Sequence, residues 1–262
     1  MKRSRQSYYK ALKARHLKDQ HDDDLFSLVQ PIRQIMPRIG GKKLHFMIKE
    51  KLQARALKMG RDKFFRWLRD QDLLIRRKKS YAITTQSRHR FWVHSNLTEE
   101  FVPRKANELW VSDITYIRTL EGFCYLAMIT DAFSRKIVGF DISDSLELNG
   151  CLRALRSATQ AAGSLDQLIH HSDRGIQYCS HQYTDLLREK GIKISMAAKG
   201  NCYENALAER INGILKDEFN LDQTFKNKNQ AIKTVRQSIY IYNMHRPHWS
   251  INLKTPNVMH AA

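Results

Sequence analysis

Residues 110–142 read WVSDITYIRTLEGFCYLAMITDAFSRKIVGFDI, and this stretch decides the fold. Trp110 to Ile117 is rich in β-formers and partly alternating. Glu121-Gly122 marks a turn. Phe123 to Thr130 is a nearly continuous apolar run, the pattern of a strand buried on both faces. Ser134-Arg135 turns the chain again, and Lys136 to Ile142 is a third strand. Three strands with connections this short imply an antiparallel meander.

C-terminal to the meander the period changes. Leu146 to Ala161 is helical, with Leu148, Leu152, Leu155 and Ala158 on one face. Leu165 to His171 is a short strand. His181 to Lys190 is a helix stopped by Gly191. Ile192 to Met196 alternates as a strand, and Asn201 to Phe219 and Gln230 to Met244 are two further helices. A meander followed by alternating helices and strands gives an α/β fold, a mixed sheet with helices on both faces.

N-terminal to the meander the pattern is helical and basic. Residues 4–18 predict a short helix. Asp22, Asp23 and Asp24 precede Leu25, Val29, Ile32 and Met36, which are helically spaced. Acids there suit the positive end of a new helix, and Pro31 predicts a kink or an early stop. After Gly40-Gly41 come Leu44, Met47, Ile48 and Leu52, a turn at Lys58-Met59-Gly60, and a second short helix. That helix packs through Phe64, Phe65, Trp67 and Leu68 and leaves Arg61, Lys63, Arg66 and Arg69 to solvent. A small all-helical domain of helix-turn-helix form with a basic face reads as a DNA contact. The plainer alternative is a helical bundle whose cations only keep it soluble. Arg76, Arg77, Lys78 and Lys79 then open a basic stretch without periodicity, suited to tracking phosphates. The layout expected is a basic helical region at 1–75, a linker at 76–105, a catalytic core at 106–225, and a C-terminal helix and tail at 226–262.

Charge supports that division. The chain of 262 residues carries 45 Lys and Arg against 26 Asp and Glu, a net charge of +19. Residues 1–105 hold 27 basic and 10 acidic residues, a net of +17. Residues 106–262 are close to neutral. The excess disfavours a small acidic metabolite as sole partner and favours a polyanion, either nucleic acid or an anionic membrane surface. The longest apolar stretch, Phe123 to Ile129, is seven residues, far too short for a membrane span. No apolar segment follows the charged N-terminus, and the four cysteines form no C-x-x-C pair. A cytoplasmic protein with free thiols and neither a disulfide scaffold nor a Cys-based zinc site is expected.

Three acids stand out by context. Asp113 lies in an otherwise apolar strand, where a carboxylate is costly unless paired or metal-bound. Asp173 follows the strand Leu168-Ile169 within His170-His171-Ser172-Asp173-Arg174-Gly175, at the carboxyl edge of the sheet. Glu209 lies in the helix after the last strand beside the small residues Ala206 and Ala208. Asn205, four residues earlier, and Lys216, seven later, share its face. Spacing alone carries little. With 16 Asp and 10 Glu in the chain, roughly 0.5 Asp–Glu pairs enclosing 35 residues arise by chance. The signal is the order: an acid on a strand, one at a strand end, one on a helix. Three converging carboxylates without Cys favour Mg²⁺ or Mn²⁺. Two such ions about 3.5–4 Å apart suit in-line phosphoryl displacement. Lys216 is placed to hold a neighbouring DNA phosphate, or is simply a solvated helix lysine.

These residues resemble a known family. Trp110-x-x-Asp113-Ile114-Thr115, His171-Ser172-Asp173-Arg174-Gly175 and Cys202-Tyr203-Glu204-Asn205-Ala206-x-x-Glu209 resemble the three acidic motifs of insertion-sequence-three-type transposases. Those enzymes belong to the retroviral-integrase-like Asp-Asp-Glu recombinases. Leu215-Lys216-x-Glu218, Arg246-Pro247-His248 and Thr255-Pro256 resemble the family's C-terminal signature. The resemblance covers nearly the whole chain, as the family's second reading-frame product also begins with a helix-turn-helix-like segment. It implies an RNase H-like core and Mg²⁺-dependent cleavage at the ends of a mobile element, followed by strand transfer. Asp113, Asp173 and Glu209 are then the catalytic metal ligands. Double-stranded DNA is the implied substrate, with a homo-oligomer holding two ends together in the bacterial nucleoid. An upstream-frame product carrying a helix-turn-helix and a leucine zipper is an implied partner. The sequence departs from the family at Glu204, often Asp, and at Arg210, often Ser. The zinc-binding His-His-Cys-Cys domain of retroviral integrases is not visible. Two rival readings use the same residues: a DNA-binding protein with idle acids, and a nuclease that cuts but never joins.

Overall fold

The computed structural model describes residues 5–75, 92–197 and 206–262. The chain divides into two compact units, Met1–Lys78 and Lys79–Ala262.

The first unit holds three helices: α1 (Arg5–Ile35), α2 (Gly41–Ala54) and α3 (Arg61–Asp70). The two helices expected before Gly40 are one. Asp22, Asp23 and Asp24 lie in the interior of α1 and cap nothing. The dipole argument from three acids is worth only a few tenths of a kcal/mol, too little to break a chain with no glycine or proline nearby. Pro31 lies inside α1 and does not stop it early; the helix runs on to Ile35. The core forms only from the second half of α1 onward, where Leu25, Leu28, Val29 and Ile32 are buried with Leu44, Ile48, Leu52, Phe64, Trp67 and Leu68. The turn between α2 and α3 is closed by His45 Nε2, 3.0 Å from the Met59 carbonyl oxygen. Residues 5–20 of α1 are exposed.

The second unit is built on one five-stranded sheet: β1 (Leu109–Thr119), β2 (Gly122–Asp131), β3 (Ile137–Ser143), β4 (Ile169–Ser172) and β5 (Lys193–Met196). Strand order is β3-β2-β1-β4-β5. The first three strands pair antiparallel as the meander required, and β4 and β5 run parallel to β1. The helices are α4 (Leu148–Ala161), α5 (Ile176–Cys179), α6 (His181–Glu189), α7 (Ala206–Glu218), α8 (Lys228–His245) and α9 (Pro256–His260). Gly191 ends α6 as expected, with φ +69° and its N–H donating to Arg188. Thr255-Pro256 has a local cause too. Thr255 caps α9 and Pro256 takes its first turn, where a missing N–H costs nothing.

Alternation along β1 assigns its two faces. Trp110 and Ile114 pack with Leu155, Ala158, Tyr183 and Leu187 under α4 and α6. Leu109 and Val111 pack with Ile169 and with Ala208 of α7. Asp113, two residues beyond Val111, therefore faces α7. On the α4 side, α4 presses closest on β3 at Gly139, where a Cβ would lie 2.3 Å from the Ala154 carbonyl oxygen. The stretch expected as a linker packs on the sheet unit from residue 92 onward. The Leu97 N–H donates to Ser195 Oγ at 2.8 Å and the Met196 N–H donates to the Ser95 carbonyl. The C-terminal segment also belongs to this unit, with Asn243 of α8 bridging both backbone groups of Ile137.

Candidate active site

Asp113 is brought to its site by the pleat of β1, and α7 lies over it. The Asn212 amide donates to Asp113 Oδ2 at 2.6 Å, and the Ile114 N–H donates to Oδ1 at 2.9 Å. Burial pushes the Asp113 carboxyl up to about 7, and the charges of Asp173 and Glu209 push it the same way. Ser112 of β1 pairs in register with Ser172 of β4, so Asp173 emerges from the carboxyl end of β4 beside Asp113. The Gly175 N–H donates to Asp173 Oδ1 at 3.0 Å, shaping the turn after the strand. Glu209 stands exposed on the first turn of α7, one turn before Asn212. Lys216, two turns on, is partly buried. Burial lowers its ammonium, while the Asp113 carboxylate opposes that shift.

The three carboxylates thus share one electrostatic neighbourhood. They do not converge as closely as the sequence suggested. Among the described residues, no group of three His, Cys, Asp or Glu is close enough to hold a metal ion. Asp113 and Asp173 each accept N–H donors, Asp113 from Asn212 and Ile114 and Asp173 from Gly175. The donor set suits a hard divalent cation: all oxygens, with an excess of negative charge that the half-buried Asp113 carboxyl already registers.

Beneath the site, on the α6 side of the sheet, lies a buried polar cluster. His170 Nε2 lies 2.7 Å from Ser112 Oγ and 3.0 Å from the Tyr183 hydroxyl. Burial lowers the His170 imidazole to about 3.

Comparison with known proteins places the chain. Two models described as integrase core domain match residues 103–202 and 190–256. A protein of Shigella sonnei, the uncharacterized 31 kDa protein of insertion element IS600, is 36% identical over 253 residues, 94% of this chain and 90% of that protein. Transposase InsF for insertion sequence IS3A of Escherichia coli is 36% identical over 152 residues, 58% of this chain and 53% of that protein. The chain belongs to the insertion-sequence-three-type transposases. Among solved structures, the simian T-cell lymphotropic virus intasome matches with a TM-score of 0.51 and 17% identity, covering 85% of this chain and 75% of that one. That likeness shows the fold, the RNase H-like mixed sheet of integrase cores.

In the transposase, Arg61, Lys63, Arg66 and Arg69 are all exposed on α3, opposite Phe64, Trp67 and Leu68. Arg61, Arg66 and Arg69 line a shallow depression with Lys42, Asp62 and Phe65. Lys42, from the first turn of α2, was not anticipated. Asn205, Arg76, Arg77, Lys78 and Lys79 lie outside the described residues. Asn212 was missed as a site residue. Its position three residues after Glu209 was the available signal, since residues so spaced share a helix face. No helix among the described residues is long and apolar enough to cross a membrane.

Proposed function

We propose that this transposase cleaves the ends of its mobile element and joins them to target DNA, with Asp113, Asp173 and Glu209 as ligands of two divalent ions. The carrying observation is placement: Asp113 on β1, Asp173 just past the register partner of Ser112 at the end of β4, and Glu209 on the first turn of α7, whose Asn212 bonds Asp113. A bound Mg²⁺ or Mn²⁺ supplies charge neutralisation at the phosphate and a more acidic attacking hydroxyl.

The chain's own residues do the rest. Asn212 holds Asp113 Oδ2, which fixes the plane of that carboxylate. Asp173 is held at the strand end by its own turn. Lys216 lies on the Asp113 side of α7 and places a DNA phosphate against the site. Arg61, Lys63, Arg66 and Arg69 grip the duplex backbone with contacts that weaken as salt rises. Joining requires two element ends at once, so the working form is a DNA-bound dimer or larger assembly. An upstream-frame product carrying its own helix-turn-helix is a further partner.

The test is strand transfer. The protein is incubated with Mg²⁺, a duplex carrying the terminal repeats that flank its coding sequence, and a supercoiled target. The expected products are freed 3′ ends and ends covalently joined to the target. Cutting without joining identifies a nuclease, and DNA binding without either identifies a protein with idle acids.

A further inference from the structure

The helix that presents Glu209, Asn212 and Lys216 ends at Glu218. Glu218 receives two parallel hydrogen bonds from Arg246, Nε to Oε2 at 2.8 Å and Nη2 to Oε1 at 2.7 Å. Arg246 is 1% exposed and Glu218 15%. The guanidinium also lies 5.8 Å from the centre of the Tyr242 ring, and the Tyr242 hydroxyl donates to the Arg135 carbonyl at 2.9 Å. A continuous set of contacts therefore runs from the turn after β2, through the end of α8, to the end of α7.

Stability is a poor explanation for such a pair. Removing two charges from water offsets most of their attraction, and an apolar pair of similar volume serves as well. A fork-to-fork pair supplies geometry, fixing both the distance and the direction between its two helices. Glu218 lies nine positions after Glu209, about 13.5 Å along the helix. A helix that short is stiff, so an axial slip at Glu218 is delivered in full at Asn212 and Glu209. The 2.6 Å bond from Asn212 to Asp113 does not survive a slip of about 1 Å.

We propose that Arg246 and Glu218 are positioning residues, a paired clamp that sets where along its axis α7 presents Asn212 and Glu209 to Asp113. The proposal rests on the catalytic reading above. It makes Leu215-Lys216-x-Glu218 and Arg246-Pro247-His248 two halves of one device.

The decisive variant is Glu218→Met with Arg246→Met, which removes the fork and both of its charges together. Its melting temperature is expected near the parental value. At that recovered stability, kcat for 3′-end cleavage of the terminal-repeat duplex falls about 100-fold and KM stays within about two-fold. Recovery of kcat along with melting temperature overturns the proposal. Arg246→Lys keeps the charge and loses the fork. Assayed where circular dichroism shows it folded, it gives the same split, and an unchanged kcat is again contradictory. Hydrogen exchange on the metal-free, DNA-free double variant supplies a readout independent of cleavage. Faster exchange over Ile211–Leu215, with β1 unchanged, is expected, and unaltered α7 protection overturns the clamp. A parental protein that fails to cleave sinks the catalytic reading, and exchange still decides the clamp.

Discussion

Asp113 costs the metal-free chain stability, and the sign of that cost is measurable. Its carboxyl rises from 3.8 to about 7 on folding, so the folded state holds a proton that the unfolded state releases. Stability therefore falls as pH climbs from about 4 to about 7. Asp113→Asn removes the penalty. After allowance for solvent at this partly exposed position the gain is on the order of 2 kcal/mol, or about 5 °C in melting temperature at pH 8 without metal. On the proposed metal site the same variant loses cleavage by more than about 100-fold, since a ligand would matter more than the groups that orient it. An unchanged melting temperature contradicts the burial argument. Asn212→Ala removes a donor that favours the ionised carboxylate, so the acid limb of the kcat/KM profile moves to higher pH. An unmoved limb contradicts that role. Asp113 stood out in the sequence because a carboxylate on an apolar strand is anomalous. Asn212 shares the Glu209 face by its spacing of three, but an asparagine inside a helix is ordinary until its partner, 99 residues away, is seen.

Among the elements, β4 carries a second pH-sensitive group with the opposite sign. Burial drops His170 from 6.5 to about 3, so the unfolded state takes up a proton that the folded state refuses. Stability from this group is present above about pH 6.5 and is lost as pH falls toward 3. Between about pH 4 and 6.5 the slopes from His170 and Asp113 cancel. In urea titrations over that range, Asp113→Asn should gain stability with pH at up to about 1.4 kcal/mol per unit, and His170→Gln should lose it. Equal slopes in both variants contradict the account. The packing of α4 on β3 sets another test. Gly139→Ala drives a methyl into the Ala154 carbonyl and the Ala158 side chain, and should lower stability by about 1–3 kcal/mol in the same titrations. The strands were legible from alternation and from one apolar run. The single helix α1 was not, because Asp22, Asp23 and Asp24 imitate a helix start and only the packing from Leu25 onward decides otherwise. The pairing of Glu218 with Arg246 has no local pattern at all.

At the scale of the molecule, charge and chemistry occupy different parts of the chain. Of the net +19, residues 1–105 hold +17, and the carboxylates sit in the near-neutral remainder. Replacing Arg61, Lys63, Arg66 and Arg69 together with Gln should weaken binding to specific and non-specific duplex alike. The slope of log Kd against log salt should fall by about 0.9 for each phosphate that is no longer neutralised, with kcat at saturating DNA unchanged. A weakening confined to terminal-repeat DNA contradicts a backbone grip. If Asp113, Asp173 and Glu209 act as one catalytic set, Asp113→Asn, Asp173→Asn and Glu209→Gln each abolish Mg²⁺-dependent 3′-end cleavage while binding the terminal-repeat duplex with parental affinity. Parental cleavage by any one of the three variants shows that its acid does not belong to the set.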